Sequence, residues 1–167
     1  MNKSFAAAVT TAVAASIAVT GEPWMYKDPY NLLQVTLDGE PLDLYIAQTH
    51  WSEIMQDDSS SYTMAYNGRT YLTESEDWDP NAYFKPNLLG GSMEYDVDMS
   101  AVSCGCNAAL YLIGMPGVGA DGLPFESSDG MHYCDAAAVG GNYCPEFDIM
   151  EANQWAYRAC NHECNEP

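Results

Sequence analysis

Alternation of apolar and polar residues, rather than a helical period, runs through this chain. Leu32 to Ala47 reads LLQVTL-DGEP-LDLYIA and Tyr62 to Thr73 reads YTMAY-NG-RTYLT, two pairs of β-rich runs around Asp38-Gly39 and Asn67-Gly68. Both dipeptides accept the positive φ of a tight primed turn, so each stretch predicts a β-hairpin. Ser92 to Met99 (SMEYDVDM) alternates strictly, with Met93, Tyr95, Val97 and Met99 on one side and Glu94, Asp96 and Asp98 on the other. That is the pattern of a strand with one wet face. Cys106 to Met115 (CNAALYLIGM) sets Asn107, Ala109, Tyr111 and Ile113 against Ala108, Leu110, Leu112 and Gly114, and both sides are apolar enough to be covered. Residues 116–130 are rich in Gly, Pro and Ser and read as loop. Many short strands with turn signals between them, and no convincing helix, predict an all-β sandwich or jelly roll.

The first twenty residues depart from this pattern. MNKSFAAAVTTAVAASIAVT carries one Lys and then an uncharged Ala/Val/Thr-rich run. This is the layout of a secretory signal peptide with cleavage between Ala18 and Gly21, and its apolar run is too short to span a bilayer. The expected organisation is a leader over 1–20 and one secreted domain over 21–167. Nothing later in the chain is apolar enough for a membrane span.

Charge narrows the partners. Five Lys+Arg stand against 24 Asp+Glu, a formal charge of -19, so nucleic acid would be repelled. The acids are dispersed and accompanied by 12 Tyr and 4 Trp, which argues for a folded acidic protein rather than a disordered tail. Six Cys (Cys104, Cys106, Cys134, Cys144, Cys160 and Cys164) fall in the last 64 positions, and in an exported chain an even number predicts disulfides. Cys160-x-His162-x-Cys164 with Cys104-x-Cys106 could instead ligate zinc, but these spacings fit no familiar finger. Spacing alone settles no pairing. Glu74, Glu76, Asp77 and Asp79 lack the spacing of an EF-hand loop and read as solvated. No metal and no cofactor is expected. His50 and His132 have no identifiable partners in the sequence, and Trp155 reads as a core aromatic more than as a sugar-stacking one.

The densest chemistry lies in PEFDIMEAN, Pro145 to Asn153, where three carboxylates follow E-x-D-x-x-E. In a regular strand Glu146 and Asp148 share a face and Met150, not Glu151, comes next on it. A β-bulge at Ile149-Met150 adds the residue that brings Glu151 back. Glu146 and Glu151 are then about 13 Å apart at Cα, and side chains leaning inward bring the carboxyls to roughly 5–6 Å. That separation suits a retaining glycosidase, with one carboxylate as nucleophile and the other as acid/base. Like charges so close should raise at least one pKa, and Asp148 could share a proton with Glu146 while Glu151 stays protonated. The alternative is a solvated acidic strand.

With its surroundings this stretch resembles glycoside hydrolase family 7, the cellobiohydrolases and endoglucanases that cut β-1,4-glucan. Cys144 to Asn153 fits the family's Cys followed by E-x-D-I-x-E-A-N. Asn87 to Met115 is similar to its strand pair ending in Cys-Gly-x-Asn-x-Ala-Leu-Tyr, and Tyr133-Cys134-Asp135-Ala136 to its Tyr-Cys-Asp segment. His162 and Cys164 keep the family's spacing from the last catalytic Glu. The resemblance covers about Asn87 to Cys164. It implies a concanavalin A-like jelly roll of two antiparallel sheets, with Glu146 as nucleophile, Asp148 as its partner and Glu151 as acid/base. Asn107, Tyr111, Tyr133, Asp135 and His162 would line the subsites for a β-glucan such as cellulose. Only AAAVGGNY separates Ala136 from Cys144, and Ala138 and Tyr143 stand where a second family disulfide has its Cys residues, which favours a bond between Cys134 and Cys144. Family members continue for a few hundred residues, so the resemblance implies a domain truncated at its C-terminal side. Cys104 and Cys164 then lack their usual partners, and Cys106 and Cys160 are extra. Two rivals are a β-1,3(1,4)-glucanase of the family 16 type, which also uses E-x-D-x-x-E, and a non-catalytic carbohydrate-binding descendant.

Overall fold

The computed structural model describes residues 32–49, 52–127 and 130–162, and the backbone alone of residues 6–10 and of Asp57. It contains nine strands: β1 (Ala6–Thr10), β2 (Leu32–Leu37), β3 (Glu40–Gln48), β4 (Ile54–Asp58), β5 (Ser61–Met64), β6 (Thr70–Thr73), β7 (Ala108–Ile113), β8 (Glu146–Asn153) and β9 (Ala156–Asn161). Seven form one sheet in the order β2-β3-β6-β1-β7-β8-β9, and β4 and β5 form a second, two-stranded sheet. Every strand pairing is antiparallel, and no helix occurs among the described residues. The all-β antiparallel class expected from the alternation is the class observed.

Local chemistry explains the β2–β3 hairpin. Asp38 and Gly39 take φ of 54° and 87°, both in the left-handed region that a primed turn requires, and the pairing runs from Leu32↔Tyr45 to Leu37↔Glu40. The Asn67-Gly68 turn differs. Asn67 has φ 60°, but only this residue of the two is left-handed, and the chain leaves one sheet for the other. β5 pairs with β4 around Ser59-Ser60, while β6 pairs with β3 and β1, so the second expected hairpin is corrected to a corner between sheets. Gly68 has a steric role there: a Cβ on it would lie 2.4 Å from Met64 Cγ.

Residues 92–99 are also corrected. They form no ladder among the described residues, because alternation specifies which side chains pack but cannot supply a neighbouring strand. Met93 and Met99 still pack inward, against Val102, Ala108, Leu110, Met150 and Ala152. On the opposite side of the sheet, Tyr71, Ala109, Tyr111 and Ile113 are covered by Tyr83 and by Met115, Met131, Tyr133, Cys134 and Cys144 of the long β7–β8 connection. β7 is therefore buried along its whole length, as expected for a strand with both faces covered.

Most of the leader segment lies outside the described residues, but Ala6–Thr10 forms β1 between β6 and β7, in register from Ala6↔Ile113 to Thr10↔Ala109. A cleaved leader and this strand exclude one another. Trp155, read as a core aromatic, sits instead at the β8–β9 turn and is 75% exposed. Two-residue turns leave little to cover a side chain, so the core reading of Trp155 is corrected.

Candidate active site

β8 delivers the three acids, and its register explains how. Against β7, Glu146 lies opposite Ile113, Asp148 opposite Tyr111, Met150 opposite Leu110 and Glu151 opposite Ala109. Between Asp148 and Met150 β8 carries one residue more than its partner, Ile149, and the β8–β9 register shifts in the same interval, from Asp148↔Cys160 to Glu151↔Arg158. Directly opposed residues in an antiparallel pair share a face. Glu146, Asp148 and Glu151 thus stand on the face of Tyr111, Ile113 and Ala109, while Met150 and Ala152 pack into the opposite cluster. This is the bulge that the residue count predicts, at Ile149. The facing positions Ile113 and Ala109 are four residues apart on β7, about 13 Å of strand.

Each acid has its own environment. Half-buried Glu146 accepts a hydrogen bond from the Ala136 amide at 3.0 Å on Oε2. Its pKa is raised above the ordinary carboxylate value, first by burial and then by the charges of Asp148 and Asp135, against the amide of Ala136 and the ring of His162. Asp148 is buried, and its Oδ2 lies 2.8 Å from His162 Nε2. Its close partner is therefore His162, and it acts on Glu146 through charge. Glu151 accepts from Asn107 Nδ2 at 3.4 Å and pairs with Arg158 at 3.0 Å.

The remaining expected site residues stand behind this row. Tyr111, Tyr133 and Asp135 are each 5% exposed. The Tyr111 and Tyr133 hydroxyls are hydrogen-bonded, Tyr133 also bonds the Asp135 carboxylate, and burial foremost pushes both phenols up, which keeps them proton donors. Asp135 Oδ1 accepts from the Val139 amide at 2.9 Å. The Cys134–Cys144 disulfide ties this connection to the start of β8. Cys104, Cys106 and Cys160 are free thiols, and Cys164 lies outside the described residues.

Three residues join the site without a local sequence signal. Arg69, one of the chain's five basic side chains, stacks its guanidinium 3.9 Å above the Tyr133 ring. Arg158 and Cys160 arrive through the β8–β9 register. The sparse positive charge was the one available clue to the two arginines. His132 stacks on Trp78 and holds Nδ1 2.8 Å from the Phe125 carbonyl, a structural arrangement, and His50 lies outside the described residues.

The model of Glycosyl hydrolase family 7 matches residues 36–140, well over half of the chain. The chain belongs to this family. The matched span includes Asn107, Tyr111, Tyr133 and Asp135 and ends before Glu146. Among similar proteins are Endoglucanase type C of Fusarium oxysporum, 34% identical over 116 residues (59% of this chain, 26% of the relative), and Endo-beta-1,4-glucanase celB of Emericella nidulans, 35% identical over 111 residues (58% and 26%). Endoglucanase EG-1 of Humicola insolens is 33% identical over 112 residues (58% and 25%). The chain spans about a quarter of the length of these curated relatives. No solved structure matches.

Proposed function

We propose that the chain carries the reacting centre of a secreted, retaining β-1,4-glucan hydrolase that works by double displacement. Glu146 attacks the anomeric carbon while Glu151 protonates the leaving glycosidic oxygen. Glu151 then takes a proton from the water that releases the glycosyl group from Glu146. Asp148 holds His162 and places a negative charge near Glu146, which gains charge repulsion relief as the nucleophile is consumed. Asn107 and His162 border the glucan directly, and the buried Tyr111, Tyr133 and Asp135, with Arg69, form the layer beneath that holds the acids in place. The Arg158 pairing must open for Glu151 to carry its proton to the leaving oxygen, and Arg158, 66% exposed, is free to swing outward.

One observation carries the reading: the bulge at Ile149 that sets both glutamates on the Tyr111 face, with an amide aimed at one and Asn107 at the other. The names of the similar endoglucanases favour a β-1,4-linked substrate, and the family 7 match favours this reading over a family 16 glucanase. Residues 21–167 belong to the catalytic domain, with 1–20 as a leader. If the leader is removed, β6 and β7 must take a different neighbour. Incubation of the full chain with soluble cellulose derivatives should release reducing ends, and Glu146→Gln and Glu151→Gln should each lower the rate at least a hundredfold while glucan binding persists. Binding without turnover in the wild-type chain would establish the carbohydrate-binding alternative instead.

A further inference from the structure

We propose that Asp148, Cys160 and His162 form a binding site for a zinc-class divalent cation on the β8–β9 face that carries the three acids. Along the sequence, Cys160-x-His162 matches no finger spacing. The fold supplies what spacing cannot: Asp148 lies directly opposite Cys160 across β8 and β9, and His162 follows two residues later on the same face. One carboxylate oxygen, the Cys160 Sγ and a His162 ring nitrogen all lie within 4.8 Å of one another. Asp148 is buried, and Cys160 is a partly buried free thiol.

The donor set selects the ion. Thiolate, imidazole and carboxylate together suit zinc and its borderline neighbours, whereas calcium and magnesium take oxygen ligands. Metal–ligand lengths of about 2.0–2.3 Å place tetrahedral ligand atoms roughly 3.3–3.8 Å apart. The Asp148–His162 contact of 2.8 Å must open slightly, and no other pair need close by more than about 1 Å. On binding, the Cys160 thiol loses its proton to solvent. His162 gives up the Nε2 hydrogen that faces the Asp148 carboxylate, keeping or gaining one on Nδ1, so that the Nε2 lone pair and the freed carboxylate oxygen both turn to the ion. Three protein ligands leave a fourth position for water. The cation would occupy the partner of Glu146, so the site is inhibitory on the glucanase reading, although the binding itself does not rest on that reading.

The test uses the full chain, stripped with a chelator and titrated with Co(II) as a spectroscopic probe and with Zn(II). One equivalent of Co(II) should give a thiolate-to-metal charge-transfer band. Cys160→Ser should lose that band and bind zinc at least tenfold more weakly, while the Cys104→Ser/Cys106→Ser double variant and Glu146→Gln keep both. Zinc should also protect Cys160 of the wild-type chain from alkylation, read by peptide mass spectrometry, which gives a result even where a variant does not fold. A band unchanged in Cys160→Ser, equal alkylation with and without zinc, or a Cys160 already in a disulfide in the purified protein overturns the site. Loss of zinc-sensitive turnover in Cys160→Ser supports the inhibitory role. A chain that binds zinc but never hydrolyses glucan refutes the glucanase reading and leaves the metal site standing.

Discussion

Removing the Cys134–Cys144 bridge tests how the long β7–β8 connection supports the site. The bridge closes a loop of sequence separation 10, and both sulfurs are buried. Loop-closure entropy of about 2.1 + 1.5R ln 10, near 9 cal/mol/K, corresponds to roughly 2.7 kcal/mol at 25 °C. With a urea slope of about 2 kcal/mol/M, Cys134→Ala/Cys144→Ala should unfold at a midpoint about 1.3 M below wild type. The consequence reaches chemistry because the loop holds Ala136, whose amide meets Glu146, and Asp135, whose backbone carbonyl accepts from the Cys144 amide at 3.0 Å. Under conditions where the variant is fully folded, glucan turnover should fall more than glucan binding. Equilibrium urea unfolding followed by tryptophan fluorescence gives the first number and initial rates give the second. A stability loss under about 0.5 kcal/mol, or full turnover in the folded variant, would refute the reasoning.

Further outcomes follow from single side chains. Because the folded chain holds the Glu146 proton to higher pH than the unfolded chain, ionising it costs stability as pH rises from the ordinary glutamate value of about 4.3 to the higher folded value. Glu146→Gln should therefore gain stability over wild type at pH 7 and lose that gain near pH 3.5, by paired urea midpoints; a gain that shrinks as pH rises contradicts this. Tyr83, 1% exposed, donates its hydroxyl to the Met131 carbonyl, so Tyr83→Phe should cost about 1–2 kcal/mol, and an unchanged midpoint would show the bond to be immaterial. Asp148→Asn keeps an acceptor for His162 but removes a charge that raises Glu146, so the acid limb of the rate profile should move to lower pH; movement to higher pH would reverse the assigned electrostatics.

What the sequence reveals here depends on how local the determining physics is. Asp38-Gly39 marks its hairpin because both residues must be left-handed, a property of the two residues themselves. Asn67-Gly68 carries the same signature and turns a corner instead, since the partner of β6 is chosen by β3, not by its sequence neighbour β5. The β4–β5 hairpin turns on Ser59-Ser60, a weak signal that alternation alone did not flag. In residues 92–99 only the ends of the expected packing face hold: Met93 and Met99 pack inward, Tyr95 and Val97 of the same face are exposed, and no ladder forms among the described residues. The bulge at Ile149 was countable because three acids one residue out of step leave few other solutions. The Asp148–Cys160–His162 grouping and the stacking of Arg69 on Tyr133 were not readable, because both depend on registers and contacts between distant segments.

The central claim is that Glu146 and Glu151, brought to one face by one extra residue, carry out a two-step displacement. The most direct measurement is proton NMR of the anomeric signals during hydrolysis of a soluble β-1,4-glucan by the full chain, before mutarotation. The account expects the β-anomer to form first, with the signal absent in Glu146→Gln. First formation of the α-anomer, or undiminished product from Glu146→Gln, would contradict it.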